Sequence, residues 1–448
     1  MKKALVVLGG GAAGYSCALQ AARQGAKPIL VERDVLGGTC FRWGCLPVKY
    51  IMDRIRAMKT RHGYWNGGIG EKQTISREDA SIILKDCRTT METVSGRMTE
   101  TLRSAGVEIL LEEPELTGPD TLHIGNRQIS FDRLVIATGT EAAAPANMVP
   151  DGIRLITHRE AVLLESPPAT LIIIGGDVEG LEFASLFSEL GTSVTVLEMV
   201  PRLLGGMDDD LTDPLFERLK LNCVNLVPDT RVASAETMEN GIRVTTSDSR
   251  VYEAEYALVT MTRRPAVPKG FETTGLKLTN DRLAVDDHCC TAVSGIYSIG
   301  DLNGRMEMAH TAMQQGFLLA DHLMKGSPIT WKYGPLPRAM FTLPQNGGAG
   351  YQEKELQAQG IRYRKSTVKW ESTWRGAGQS SPDGFLKVLV GEADELLGIW
   401  LVGDEISEQV NLMGVLIGQG ATIQTVKQQL WVHPTCSEAL LQAVLELN

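Results

Sequence analysis

An α/β chain is what this sequence predicts, and three observations predict it. Near the start an apolar, strand-like run, a glycine-rich turn and an amphipathic segment follow one another: Ala4–Leu8, then Gly9-Gly10-Gly11-Ala12-Ala13-Gly14, then an alanine-rich stretch to Gln24. The same succession recurs at 171–174, Gly175-Gly176-Asp177-Val178-Glu179-Gly180 and onward to about Leu190. From about Trp331, with Pro335 and Pro337 close by, the pattern changes to mixed strands and helices. The chain has 448 residues, more than the roughly 250–300 that one core serves, so two to four domains are expected.

The first unit is read in order. In Ala4–Leu8 every residue is apolar, as in a strand buried on both faces. The pattern G-x-G-x-x-G falls on Gly9, Gly11 and Gly14, where backbone amides and a helix N-terminus can meet a pyrophosphate. The next strand, 29–31, ends at Glu32, placed to bond a ribose hydroxyl. Strand, turn, helix, strand and acid in that order define a Rossmann-like dinucleotide site. The second unit keeps Gly175 and Gly180 and continues with a strand at Ser193–Leu197 ending at Glu198, so two dinucleotides are expected. Glu198 favours an unphosphorylated ribose, hence NAD over NADP. Asp177, however, stands where the pattern has its middle glycine, and Glu179 follows. Two carboxylates beside a pyrophosphate repel it, which predicts weak binding there.

Ala142-Ala143-Ala144-Pro145 and Pro167-Pro168 bracket the approach to the second unit. Further on, a short apolar strand at 295–299 ends in Gly300-Asp301. The fold class expected is α/β: two Rossmann-like dinucleotide-binding domains and an α+β C-terminal domain. Residues 1–147 and 268–330 form the first domain, 148–267 the second and 331–448 the last.

Between the first two strands and the rest lies Gly37-Gly38-Thr39-Cys40-Phe41-Arg42-Trp43-Gly44-Cys45-Leu46-Pro47-Val48-Lys49. A bridge between Cys40 and Cys45 closes a loop so short that chain entropy yields only about 2 kcal/mol. A stabilising staple is a poor explanation, and a redox-active dithiol beside a bound cofactor a better one. Residues five apart on a regular helix point roughly 140° away from each other, so such a pair needs an irregular turn, which Gly38 and Gly44 permit. Arg42 and Lys49 are expected to bias the thiols toward thiolate. The remaining cysteines, 17, 87, 223, 289, 290 and 436, are scattered, as in a reducing compartment. An adjacent-residue bridge at Cys289-Cys290 is strained and not expected.

A net charge of −10 and a pI near 5.4 argue against nucleic acid or an anionic membrane as partner. No run approaches the roughly 18 apolar residues that span a bilayer. Met1-Lys2-Lys3 ahead of the first apolar run superficially resembles a signal peptide but lacks a cleavage pattern. A cytoplasmic protein is expected.

Taken together, these residues resemble the flavoprotein disulfide reductase family, and within it the dihydrolipoamide dehydrogenases most. The resemblance spans nearly the whole chain. It rests on both glycine fingerprints, the Gly-Gly-Thr-Cys-x4-Cys-x-Pro-x-Lys run, Ala137-Thr138-Gly139, Gly300-Asp301, Ala309-His310 and His433-Pro434-Thr435-x-x-Glu438. It implies FAD in the first unit, at Gly9, Gly11, Gly14, Glu32, Arg33, Gly38, Thr39, Lys49, Thr138, Gly139, Gly300, Asp301, Met308, Ala309 and His310. Asp301 would bond the ribityl chain, and His310 would be structural beside the flavin. It also implies NAD at Gly175, Gly180 and Glu198, no metal, and a C-terminal dimerisation domain that makes a homodimer.

On the same resemblance Cys40 exchanges with substrate, Cys45 faces the flavin, and Lys49 sits by the ring and pairs with Glu182. His433 is implied as general acid and base across the dimer, oriented by Glu438; Thr435-x-x-Glu438 is also a capping box, and the two roles are compatible. The activity implied is oxidation of dihydrolipoyl groups, on a carrier protein or as free dihydrolipoamide, with NAD+. Two alternatives stay open: NADH-dependent reduction of another small disulfide, and a flavin dithiol oxidoreductase or electron-transfer subunit with a non-nicotinamide acceptor. Phe41-Arg42-Trp43 either shapes the substrate mouth or packs locally, and a second redox role for Cys436 is a further possibility.

Overall fold

The computed structural model describes residues 4–65, 75–331, 334, 336–378 and 383–447. Met1, Lys2, Lys3 and Pro335 lie outside the described residues. Two compact units emerge: Met1–Arg54 with Arg77–Ser166 and Met261–Trp331, and Ile55–Ser76 with Pro167–Thr260 and Lys332–Asn448.

In the first unit Ala4–Leu8 lies between Ile29–Glu32 and the long strand Arg127–Ile136, parallel to both. Glu108–Leu111 extends the sheet beyond Ile29–Glu32, and Ile296–Ser298 adds a parallel strand against Leu134 to Ile136. The N-terminal part of Arg127–Ile136 instead pairs antiparallel with Thr121–Ile124, which pairs with Pro114–Gly118. Val6, Val7 and Leu8 are fully buried, as an all-apolar strand covered on both faces requires. Each such side chain contributes about 1.5–3 kcal/mol by leaving water.

Helix Ala12–Arg23 covers one face together with Ala309–Lys325. The two come close because Gly316 has no side chain: a Cβ there would lie 2.4 Å from the Ala13 carbonyl oxygen. This contact sets the middle of the second helix against the first turns of Ala12–Arg23. Helix Arg77–Ser104 fastens the segment after Glu32, since the Ser95 hydroxyl donates to the Leu36 carbonyl at 2.7 Å.

In the second unit Asn225–Val227, Ser193–Leu197, Thr170–Ile174 and Tyr256–Val259 run parallel in that order. An antiparallel meander, Val232–Met238, Gly241–Thr246 and Val251–Ala254, follows. The C-terminal segment builds an antiparallel sheet in the order Arg338–Met340, Gln345–Gly350, Leu396–Gly403, Phe385–Val390, Arg364–Lys369. Helices Ser407–Gly418, Ile423–Gln428 and Ala439–Leu445 bury their apolar residues on it. The fold class is the one the sequence predicts: a doubled α/β dinucleotide fold with an α+β C-terminal domain. No described helix is long and apolar enough to cross a membrane.

Candidate active site

Cys40 and Cys45 owe their relation to one irregular turn. Thr39–Trp43 is a π turn, closed by Gly44 N–H donating to the Thr39 carbonyl at 2.7 Å. A ring of i→i+5 bonds winds the chain more widely than an α-helix, so residues five apart lie one above the other instead of diverging. Cys45 then starts helix Cys45–Trp65. Glycine is required on entry: Gly38 has φ +55° and approaches Gly11 so closely that a Cβ would sit 2.9 Å from its Cα. The irregular turn that the sequence demanded is thus present.

All eight cysteines are thiols in this structure. The Cys40 thiol is pushed above the usual range, chiefly because it donates a hydrogen bond to Cys45, then by burial; Lys49 pulls the other way and Asp301 adds to the rise. The hydrogen bond to Cys45 therefore favours the protonated form of Cys40. The bias toward thiolate expected from Lys49 is present at Cys40 but does not set the direction. For Cys40 the Lys49 charge is outweighed, and Arg42 is turned elsewhere. Its stem fills the space beside Gly37, where a Cβ would meet Arg42 Cγ at 2.8 Å, and its guanidinium lies 4.8 Å from the Trp43 ring centroid. Arg159, paired with Asp34 at 3.0 Å, stacks on the same indole at 4.5 Å. Phe41 packs on the core cluster of the first unit. Cys17, Cys87 and Cys289 are buried thiols pushed up to about 12 by desolvation.

The two glycine turns differ in one respect. At the first, Gly10 N–H donates to Glu32 at 2.7 Å, and Gly14 packs so tightly that a Cβ would lie 1.9 Å from the Gly9 carbonyl oxygen. Gly11 caps the helix with no side-chain hydrogen bond. The second repeats this closely: Gly176 N–H donates to Glu198 at 2.6 Å, and a Cβ on Gly180 would lie 2.0 Å from the Gly175 carbonyl oxygen. There, however, the cap is Asp177, whose carboxylate accepts from Val178 N–H at 2.9 Å. Glu179 occupies the first helical turn.

In the second unit His433 Nδ1 lies 3.0 Å from Glu438 Oε1, and Glu438 Oε2 accepts from Thr435 N–H at 2.7 Å. These bonds, the Thr435 amide first and His433 second, hold the Glu438 carboxyl below its ordinary range. Orientation of the imidazole and capping of the short helix that follows are thus done by the two oxygens of one carboxylate. Glu182, 7% exposed, accepts from Phe341 N–H at 2.9 Å. Cys436 packs against the C-terminal core.

Residues 3–316 match the family model described as pyridine nucleotide-disulphide oxidoreductase, and 336–444 match the dimerisation domain of the same family. The chain belongs to the pyridine nucleotide-disulphide oxidoreductase family. Dihydrolipoyl dehydrogenase 2 of Haloarcula marismortui is 30% identical to it, the match covering 98% of this chain and 95% of that protein. Dihydrolipoyl dehydrogenase of Geobacillus stearothermophilus is 28% identical over 98% and 94%. Among solved structures, LpdA from Mycobacterium tuberculosis superposes with a TM-score of 0.90 at 26% identity, over the whole of both chains. The flavoprotein disulfide reductase RclA from Escherichia coli, in its Cu(II) complex, does so at 0.89 with 21% identity, a likeness of fold.

This family uses FAD and NAD(H), and the first unit fits a flavin dinucleotide. The Gly9, Gly11 and Gly14 turn leaves the helix N-terminus uncapped by any side chain, and the Thr138 hydroxyl, just before Gly139, is buried without a protein hydrogen-bond partner. Gly300, φ +74°, would bring a Cβ within 3.1 Å of Ala13 Cβ, so the Gly300-Asp301 corner lies against the first helix. Burial pushes the Asp301 carboxyl up despite Arg263. Met308 caps Ala309–Lys325, with His310 exposed in its first turn. Arg33 is paired with Glu141. The second unit fits a dinucleotide less well, since the Asp177 carboxylate already uses an amide that a pyrophosphate oxygen would take.

Three residues around these sites carry no motif. Arg263 donates to the Thr140 hydroxyl at 2.8 Å and to Thr39 at 3.4 Å, joining the strand after the second fold to the redox turn. Gln315, fully buried, accepts from Gly300 N–H at 2.7 Å and fixes the Asp301 corner. Trp374 lies edge-on to His433, ring centroids 6.2 Å apart.

Proposed function

We propose that the chain is a homodimeric, FAD-dependent dithiol oxidoreductase that oxidises dihydrolipoyl groups, free or on a carrier protein, and delivers the electrons to NAD+. The observation that carries this reading is the π turn that brings Cys40 and Cys45 within hydrogen-bonding reach of each other. The curated relatives support the substrate, and a cytoplasmic setting fits the scattered thiols.

In the oxidised enzyme the two sulfurs form one disulfide. His433 of a second copy takes the proton of a substrate thiol, and the thiolate attacks Cys40. The Cys40–Cys45 bond breaks, a substrate–Cys40 disulfide forms and Cys45 leaves as thiolate. The second substrate thiol attacks the substrate sulfur bonded to Cys40, releasing the cyclic disulfide; its proton passes to the Cys40 sulfur as that leaves, and the first proton stays on His433. Substrate has lost two electrons and two protons, and the dithiol has gained the electrons. FAD held at the Gly9, Gly11 and Gly14 turn and the Gly300-Asp301 corner would supply the acceptor for that electron pair and the means to pass it on as hydride. Glu438 keeps His433 Nδ1 engaged, so Nε2 is the nitrogen that works.

A second reading, favoured by the Asp177 cap, keeps this dithiol half and replaces NAD+ with another acceptor. Both are tested by adding dihydrolipoamide and then NAD+ to the anaerobic holoenzyme while following flavin absorbance. Bleaching reversed by NAD+ is expected. Bleaching that NAD+ leaves untouched selects the second reading, and no bleaching with the dithiol overturns both.

A further inference from the structure

An indole beside the imidazole is held there by an unusual amount of structure. Trp370 is the anchor: it is 4% exposed, and its Nε1 donates to the Val402 carbonyl at 2.6 Å. Its slot exists because two positions lack side chains, a Cβ on Gly384 or Gly403 coming within 2.9 or 2.5 Å of that nitrogen. From Trp370 the chain turns at once. Thr373 N–H and its hydroxyl both return to the Trp370 carbonyl, at 2.9 and 2.8 Å, and the same hydroxyl accepts from Gly376 N–H at 3.0 Å. Only glycine fits at 376, where a Cβ would lie 1.9 Å from the Trp370 carbonyl oxygen.

The product of this scaffolding is Trp374, 80% exposed, at 74° to the His433 ring. His433 is itself 59% exposed, so indole and imidazole face solvent side by side. A large aromatic carried on a fixed turn beside a proton-transferring nitrogen has a use when an apolar, sulfur-bearing group comes to that nitrogen. Sulfur packs favourably on aromatic rings at about 5 Å.

We propose that Trp374 is a specificity-determining residue of the dithiol site: its indole is the apolar wall that receives the aliphatic and sulfur portion of a lipoyl-type substrate next to His433. This rests on the reading of His433 as acid and base. A rigid apolar wall selects by KM, since it acts on the bound chain and leaves the proton transfer itself alone.

The test compares Trp374→Ala, Trp374→Phe and His433→Gln holoenzymes, with dihydrolipoamide and with the small polar dithiol dithiothreitol, alongside light scattering for oligomeric state. Expected are a KM for dihydrolipoamide raised about tenfold in Trp374→Ala, kcat within about threefold, recovery in Trp374→Phe, and little change toward dithiothreitol. An unchanged KM, a loss confined to kcat, or a KM rise accompanied by dissociation of the oligomer each overturns the proposal; the last assigns the indole to the contact between copies. If His433→Gln oxidises dihydrolipoamide as fast as the parent, the reading of the site fails and the inference falls with it.

Discussion

The tasks proposed for the two cysteines are separable by substitution. Cys40→Ser removes the sulfur that the proposed mechanism has substrate attack while leaving the flavin cradle intact, so turnover with dihydrolipoamide should vanish while the purified protein stays yellow; full activity would refute the assignment. His433→Gln should lower kcat by about 10² to 10⁴, the usual contribution of general acid–base catalysis, with flavin content unchanged. Cys40, Cys45, His433 and Glu438 were legible because their chemistry is encoded over a few adjacent residues: a spacing, a glycine entry, a capping box. Arg263 and Gln315 were not, because each reaches its target only once distant segments have folded together, Arg263 meeting Thr39 across 224 positions. The direction of the Cys40 shift escaped for a related reason. Charge near in sequence suggested a thiolate, whereas the hydrogen bond to Cys45, which only the π turn creates, decided the matter.

The two glycine turns are a controlled comparison within one chain. Both anchor an acid on the second residue of the turn, and both need a glycine at the tight helix–strand crossing. Gly14→Ala would drive a methyl into the Gly9 carbonyl, so that variant should purify with little or no flavin, measured by the ratio of visible to ultraviolet absorbance. The elements differ at the cap and in the first helical turn, where the second carries Glu179. Asp177→Gly should lower KM for NAD+ severalfold, because it frees the Val178 amide and removes a carboxylate from the pyrophosphate path; a KM that does not move would show that the cap is harmless. Order and type of elements in both folds were readable from apolar runs and glycines. In the C-terminal sheet residue type does not give burial: Lys387, in strand Phe385–Val390, is completely buried.

At the scale of the molecule that lysine matters most. Its ammonium bonds Asp208 at 2.9 Å, Asp210 at 2.8 Å and Glu353 at 3.1 Å, joining the segment after the second nucleotide turn to the C-terminal sheet within one unit. The network holds the Asp208 and Glu353 carboxyls below, and the lysine above, their ordinary ranges, although desolvation opposes each. The lowered acids contribute stability that is present above the unfolded carboxylate range near 4 and lost as pH falls through their folded values; the lysine's share is complete below about 10.4 and lost above it. Lys387→Met leaves three carboxylates facing one another, so about 3–5 kcal/mol should be lost at pH 7. That deficit should shrink toward pH 4 as the acids take up protons, and thermal unfolding at the two pH values checks it. The network also sets a rule for chimeras. Two of its acids lie upstream of the gap between the two matched family models, at 316 and 336, while Glu353 and Lys387 lie downstream. A C-terminal segment borrowed from a relative must therefore suit the resident Asp208 and Asp210, and a crossover in that gap will succeed only when the incoming residues at positions 353 and 387 complete the network as Glu353 and Lys387 do here.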